Sequence, residues 1–164
     1  NSTYAQSILL ATYMGGLAIG AWYWGRKIDS SSKALKIFAW LEIGIALYCF
    51  SYPFIFNALE HSYIWVVSSN DIASDSGLAL FFKLIVSVFA IIVPTILMGG
   101  TLPALVKYFS QRIEGVATNV ARFYFLNSLG AVVGTFLGGF ILLQYIGLNA
   151  TNYIAAFIDL IIGL

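Results

Sequence analysis

The chain has 164 residues, of which 60% are apolar and 9% are charged, and its formal net charge at pH 7 is +1. A typical soluble domain has about 45–50% apolar and about 25% charged residues. The composition therefore excludes an ordinary soluble domain. We predict an integral membrane protein whose surroundings are the lipid bilayer, with no nucleic-acid partner.

Five apolar runs match or approach the length that an α-helix needs to cross a bilayer, about 20 residues. The runs are continuously apolar and lack the alternation of strands in a membrane barrel. They cover residues 4–24, 34–56, 78–106, 120–145 and 150–164, with an outer connection at residues 57–77. The fifth run is short and the chain begins at Asn1, so we expect a piece of a longer polypeptide. The predicted fold is an all-α, polytopic transmembrane helix bundle.

Basic residues gather in two of the connections, at Arg26, Lys27, Lys33 and Lys36 and at Lys107 and Arg112. Short loops rich in lysine and arginine stay on the cytoplasmic side of a membrane. Residues 25–35 and 107–119 are therefore predicted to be cytoplasmic, and Asn1 extracytoplasmic. The outer connection has no lysine or arginine.

Glycine stripes mark the first and fourth runs. Gly16 and Gly20 form a short stripe, and Gly130, Gly134 and Gly138 form a longer one at four-residue spacing. In lipid, helices associate largely through close backbone packing between small residues. We predict that both stripes pack helices tightly, in the manner of a glycine zipper.

The third run contains PTILMGGTLP, residues 94–103. A proline cannot donate to the carbonyl four residues earlier, and neighbouring glycines allow a bend and close helix approach. Thr95 and Thr101 are expected to take up freed backbone groups. A helix break here either serves packing or lines a substrate path, as broken helices do in transporters. The predicted helix-break residues are Pro94, Gly99, Gly100 and Pro103.

Two carboxyl groups fall within apolar runs. Glu42 lies about two turns into the second run, and Asp159 lies near the middle of the fifth. Charged groups are costly in a membrane and tend to face a bundle interior or water. We predict that Glu42 and Asp159 bind an organic cation or exchange a proton, or else form polar packing contacts. Asn127 is a third candidate, through an interhelical hydrogen bond.

The chain offers little for metal or covalent chemistry. It has one histidine, His61, and one cysteine, Cys49, which excludes a zinc site of the usual type and an internal disulfide. Its carboxylates are scattered, and no strand is followed by a glycine-rich nucleotide turn. We predict no metal, no cofactor and no catalytic residue in these 164 residues, and leave open whether the whole protein is an enzyme.

Two long segments carry a family resemblance. PTILMGGTLPALVKYF and VARFYFLNSLGAVVGTFLGGFILLQYIGL resemble the membrane region of spermidine synthase-like membrane proteins, and the similarity extends through YAQSILLATYMGGLAIGAWYWGRKID. That region is distantly similar to the N-terminal half of a major facilitator transporter. The resemblance implies that the five runs are spans of a six-helix half. It also implies an attached aminopropyltransferase-like domain that these residues do not contain.

Three functions follow as hypotheses. The first is the membrane domain of a spermidine synthase-like protein, anchoring or serving its aminopropyltransferase-like domain. The second is half of a transporter for polyamines or other small molecules. The third is an accessory subunit of a larger membrane complex. The expected partners are further helices and a soluble domain of the same polypeptide, or partner membrane subunits.

Overall fold

The structure is a computed structural model that describes residues 2–69, 77–110 and 116–164. These ranges contain four stretches of helix and no strand, as the all-α prediction requires. The stretches are α1 (Ser2–Asp29), α2 (Ala34–Ser69), α3 (Gly77–Ser110), and a fourth built from α4 (Val116–Phe136), a π-helical segment (Leu137–Leu142) and α5 (Leu143–Gly163).

Three of the described helical segments are long and apolar enough to cross a membrane, namely Ala34–Val66, Leu84–Ser110 and Val120–Gly163. They are compatible with a membrane protein. α1 is not among them. The structure thus gives three candidate crossings where the sequence predicts five spans, and the five-span count stays a prediction.

α2 extends further than the second predicted span. Residues 57–69, which the sequence assigns to the outer connection, continue the helix to Ser69. No proline or glycine interrupts them, and the His61 ring and the Ser62 hydroxyl each bond a carbonyl four residues earlier on the same helix. The rest of that connection, residues 70–76, lies outside the described residues.

The fourth helical stretch changes its backbone conformation near the end of the fourth predicted run. In the π-helical segment, the N–H of Leu143 donates to the carbonyl of Gly138, five residues earlier. Gly147 then leaves the helical region altogether, with φ 78° and ψ 175°. A side chain with a Cβ rarely adopts this conformation. The interruption falls between the fourth and fifth predicted runs.

α1 and α3 lie side by side in parallel, with their backbones almost in contact. Gly20 faces the Ile96 carbonyl and Gly99, while Gly16 faces the side chain of Thr95. Nearer the ends of the two helices, Ile28 and Ala104 are buried in one apolar cluster. The two backbones come this close because Gly20 and Gly99 have no side chain: an added Cβ on either residue would overlap the backbone of the opposite helix.

α2 lies between α3 and α5 and runs antiparallel to both. Against α3, Leu41 meets Gly100 and Tyr48 meets Ala90. Against α5, the contacts pair Phe50 with Tyr153, whose stacked rings have centroids 6.1 Å apart, and Ile43 with Gly163. α2 is therefore the helix that holds α3 and α5 in register.

We predict that Gly20→Ala destabilises the fold, although alanine usually stabilises a helix relative to glycine by about 0.5–1 kcal/mol. The new methyl group would press on the α3 backbone, and overpacking costs about 1–3 kcal/mol. The free energy of unfolding in mixed detergent micelles measures the loss. Gly15→Ala is the matched control, because nothing lies within 4 Å of a Cβ at Gly15. Equal effects of the two substitutions would contradict the close α1–α3 contact.

Candidate functional site

Two prolines within helices each leave a backbone carbonyl without its usual hydrogen-bond donor. Pro53 lies inside α2 and Pro94 inside α3, and neither can donate to the carbonyl four residues earlier. Those carbonyls belong to Cys49 and Ala90. In an apolar environment an unpaired carbonyl is costly, so each one calls for a donor from elsewhere.

α2 supplies the donor for the carbonyl freed by Pro94. The Tyr48 hydroxyl donates to the Ala90 carbonyl oxygen at 2.7 Å. Ala90 itself is buried, so water does not readily replace this bond. The interaction fixes α2 against α3 at the level of the proline.

α5 supplies the donor for the carbonyl freed by Pro53. The side-chain amide of Asn152 donates to the Cys49 carbonyl oxygen at 2.6 Å. Both prolines on the α2 and α3 interfaces thus have their freed carbonyls bonded by a side chain of a neighbouring helix. Because Tyr48 and Cys49 are consecutive, α2 is held on its α3 side and on its α5 side at one level.

The predicted helix break takes a different form. α3 remains helical from Gly77 to Ser110, with Pro94 and Pro103 inside it. The threonines do not take up the Ala90 carbonyl: the Thr95 hydroxyl bonds the carbonyls of Ile91 and Ile92, and Thr101 bonds that of Met98. Because the Tyr48 hydroxyl bonds the Ala90 carbonyl, this carbonyl is paired without any unwinding of α3 at Pro94.

The two glycines of the same stretch serve helix contacts. Gly99 lies against the α1 backbone, and a Cβ on Gly100 would stand 2.7 Å from Trp24 Cβ and 2.8 Å from Leu41 Cδ1. Gly100 therefore lies where α1, α2 and α3 meet. Whether the stretch also lines a substrate path stays a prediction.

Glu42 and Asp159 lie at one level of the α2–α5 interface, because each is seven residues from one partner of the Cys49–Asn152 bond and the two helices are antiparallel. Their carboxyl groups are close enough to interact electrostatically. Two contacts define the register here: the Asn152 bond to Cys49 lies about two helical turns from the pair, and Gly163, one turn beyond Asp159, packs against Ala39 and Ile43, which flank Glu42 in sequence. The antiparallel register of α2 and α5 thus brings together two residues far apart in sequence.

The pair lies within the apolar part of the bundle. Glu42 follows the start of α2 by eight residues, or about 12 Å of helix. Both side chains are partly buried, so each carboxyl group is partly removed from water, and the charge of Asp159 also acts on Glu42. Like charges in a poorly solvated place repel strongly, so a cation or a proton between the carboxylates would relieve the repulsion.

The oxygen atoms of the pair suit an ammonium group or a proton better than a structural metal. Within residues 2–69, 77–110 and 116–164, no group of three or more histidine, cysteine or acidic side chains could hold a metal ion. An ammonium group needs only hydrogen-bond acceptors and negative charge. Both carboxylates are also partly exposed, so a solute could approach them.

Asn127 is not brought to this pair. It is exposed on α4, and α4 joins the bundle near its beginning, where Phe123 stacks on Phe109 with ring centroids 4.8 Å apart. The glycine stripe on this stretch is also open: nothing described lies within 4 Å of a Cβ built on Gly130, Gly134 or Gly138. Close helix contacts are made instead by Gly16 and Gly20 on α1.

Sequence reasoning missed the two donors, Tyr48 and Asn152. The prolines themselves are a signal in the sequence, since a proline in an apolar helix leaves the carbonyl four residues earlier without a backbone donor. The sequence does not tell which polar side chain of another helix supplies it. That depends on the helix register, which forms only in the folded bundle.

The chain matches no protein-family model, no curated protein and no solved structure in the comparisons made with each.

We predict that Tyr48→Phe lowers the free energy of unfolding by about 1–2 kcal/mol, because it leaves the Ala90 carbonyl without its donor. In a Pro94→Ala background the restored N–H of residue 94 would bond that carbonyl. The same Tyr48→Phe change should then cost less than about 0.5 kcal/mol. Unfolding of the four variants in mixed micelles measures the coupling.

Tyr52→Phe is the control for this cycle, since it removes a hydroxyl from the same helix near Tyr48. We expect it to change stability by less than about 0.5 kcal/mol in either background. An unchanged cost of Tyr48→Phe after the proline is replaced would refute the role of Tyr48 as the donor that Pro94 requires.

Proposed function

We propose that the chain is an integral-membrane domain that binds a cationic solute between Glu42 and Asp159, at the interface of α2 and α5. The observation that carries the proposal is the α2–α5 register, which brings two partly buried carboxyl groups to one level of the interface. Ionisable groups within a membrane commonly mark a solute or proton path. A pair of like charges selects for positive charge.

The resemblance to the membrane region of spermidine synthase-like proteins points to the chemical class of the solute. A polyamine carries several ammonium groups, each of which could bond carboxylate oxygens. In this proposal the domain holds or conducts a polyamine, and anchors or serves an aminopropyltransferase-like domain outside these residues. A transporter half would use the same site.

Two features support the five-span arrangement as part of this proposal. α4 begins beside the end of α3, as the Phe109–Phe123 stack requires. α5 runs toward the same end of the bundle, since Gly163 packs near the start of α2 and Asn152 packs farther along it. α4 and α5 therefore run in opposite directions. In this proposal the chain reverses at Gly147, which divides the fourth stretch into two spans. The basic connections then lie on the cytoplasmic side.

A specific observation also favours the accessory-subunit hypothesis. The side chains of the candidate span Val120–Gly163 are largely exposed along α4, and the open glycine stripe lies on the same helix. Glycine stripes suit close contact with another helix. Further helices of the polypeptide, or a partner membrane subunit, would cover this surface.

The binding of radiolabelled spermidine to the purified chain in lipid nanodiscs tests the cation site. We expect Glu42→Gln and Asp159→Asn each to weaken binding by about tenfold or more, because each removes one charged acceptor. Glu60→Gln is the matched control: it is on the same helix, but Glu60 is exposed near the opposite end. Unchanged binding in Glu42→Gln, or equal loss in Glu60→Gln, would contradict the proposal.

Stability measurements separate the binding role from a packing role. Without spermidine and at alkaline pH, where both carboxyl groups are ionised, Glu42→Gln should raise the free energy of unfolding, on the order of 1 kcal/mol, because it removes a like-charge repulsion. A polar contact that fixes helix packing predicts the opposite sign. Lower stability together with unchanged spermidine binding would assign Glu42 to packing.

A further inference from the structure

Positive charge is concentrated at one end of the described bundle, where α1 and α3 end and α2 and α4 begin. Lys107 Nζ joins two of these ends by donating to the Asp29 carbonyl oxygen at 2.6 Å. Asp29 is the acidic residue on the described helix ends at this location. The basic residues there are Arg26, Lys27, Lys33, Lys36, Lys107 and Arg122.

Two of these cations line a shallow groove on α1 together with two aromatic side chains, Trp22 and Tyr23. The guanidinium carbon of Arg26 lies 4.4 Å from the Trp22 ring centroid, and Lys27 Nζ lies 5.0 Å from that of Trp24. Cation–π attraction holds both charges near the ring faces. Arg26 and Lys27 are exposed at this surface.

The aromatic side chains of the groove are open to the surroundings. Trp22 is 58% exposed and Tyr23 is 50% exposed. They lie where α1 passes from its apolar part to its basic end, and tryptophan and tyrosine commonly sit at the headgroup level of a bilayer. The groove thus combines fixed positive charge with exposed aromatic surface, a combination that suits the headgroup level of a bilayer.

We propose that this groove binds the headgroup of an anionic phospholipid. Arg26 and Lys27 pair with the phosphate oxygens, while Trp22 and Tyr23 contact the glycerol and the first acyl carbons. A free phosphate ion would use the two cations and leave the aromatic surface without a partner. The proposal requires a membrane location for the chain and is independent of the Glu42–Asp159 site.

The other cations at this end provide an internal comparison. Lys33 and Lys36 carry the same amount of charge as Arg26 and Lys27, but they lie at the start of α2 and do not line the groove. They contribute to a diffuse positive potential that attracts any anionic surface. A lipid site and a diffuse potential therefore predict different results for the two pairs.

Native mass spectrometry of the purified chain, titrated with phosphatidylglycerol or phosphatidylcholine, tests the site. We expect phosphatidylglycerol to bind the unmodified protein about tenfold more tightly than phosphatidylcholine. The double variant R26Q/K27Q should lose about 25-fold in phosphatidylglycerol affinity, since a basic residue at a membrane surface contributes about fivefold. The control K33Q/K36Q should lose less than about threefold, because its charges lie outside the groove.

Each alternative outcome overturns the proposal. Equal losses in the two double variants would indicate a diffuse positive surface, and an unchanged affinity in R26Q/K27Q would exclude the groove. Displacement of the lipid by millimolar glycerol phosphate would assign the groove to a free phosphate. Thermal unfolding of R26Q/K27Q, expected at the midpoint of the unmodified protein, verifies that the variant is folded.

Discussion

The carbonyls that Pro53 and Pro94 leave unpaired constrain how α2 packs between α3 and α5. In apolar surroundings no solvent replaces a lost backbone hydrogen bond, and a side chain of a neighbouring helix donates to each of these two carbonyls. Tyr48 meets the Ala90 carbonyl and Asn152 meets that of Cys49. These two bonds fix the rotation of α2 about its axis and its position along that axis, relative to α3 and α5. Helix association in lipid gains little from the hydrophobic effect. Directional contacts such as these two hydrogen bonds therefore have a large influence on the register of the helices.

The candidate site is a consequence of that register. Glu42 and Cys49 are seven residues apart on α2, as are Asp159 and Asn152 on α5, so the Asn152–Cys49 bond brings the two carboxylates to one level about two turns away. The close contact of Gly163 with Ala39 and Ile43 is consistent with the same alignment. The α1–α3 contact around Gly20 and Gly99 stabilises the other side of α3 without entering the site. The closest helix contact and the candidate site thus lie in different parts of the bundle.

Sequence patterns predict the elements of this protein better than their contacts. Long apolar runs predict helices, and the carboxyl groups of Glu42 and Asp159 are visible as exceptions in those runs. The glycines are harder to interpret: the regular stripe at Gly130, Gly134 and Gly138 is open in the described structure, whereas Gly99 and Gly163 pack closely without a repeated spacing. Spacing reveals a smooth helix face but not whether another helix covers it. The pairing of Asn152 with the carbonyl freed by Pro53 depends likewise on the tertiary register, which no local pattern encodes.

Disulfide formation between Glu42→Cys and Asp159→Cys, introduced together after Cys49→Ser, tests the central claim most directly. The account predicts rapid cross-linking of this pair under mild oxidation in membranes, because the two positions lie at one level of the α2–α5 interface. Phe157→Cys in place of Asp159→Cys is the control, since Phe157 is 57% exposed and lies on another side of α5. Equal or faster cross-linking of the Phe157 pair would contradict the register, and with it the carboxylate site.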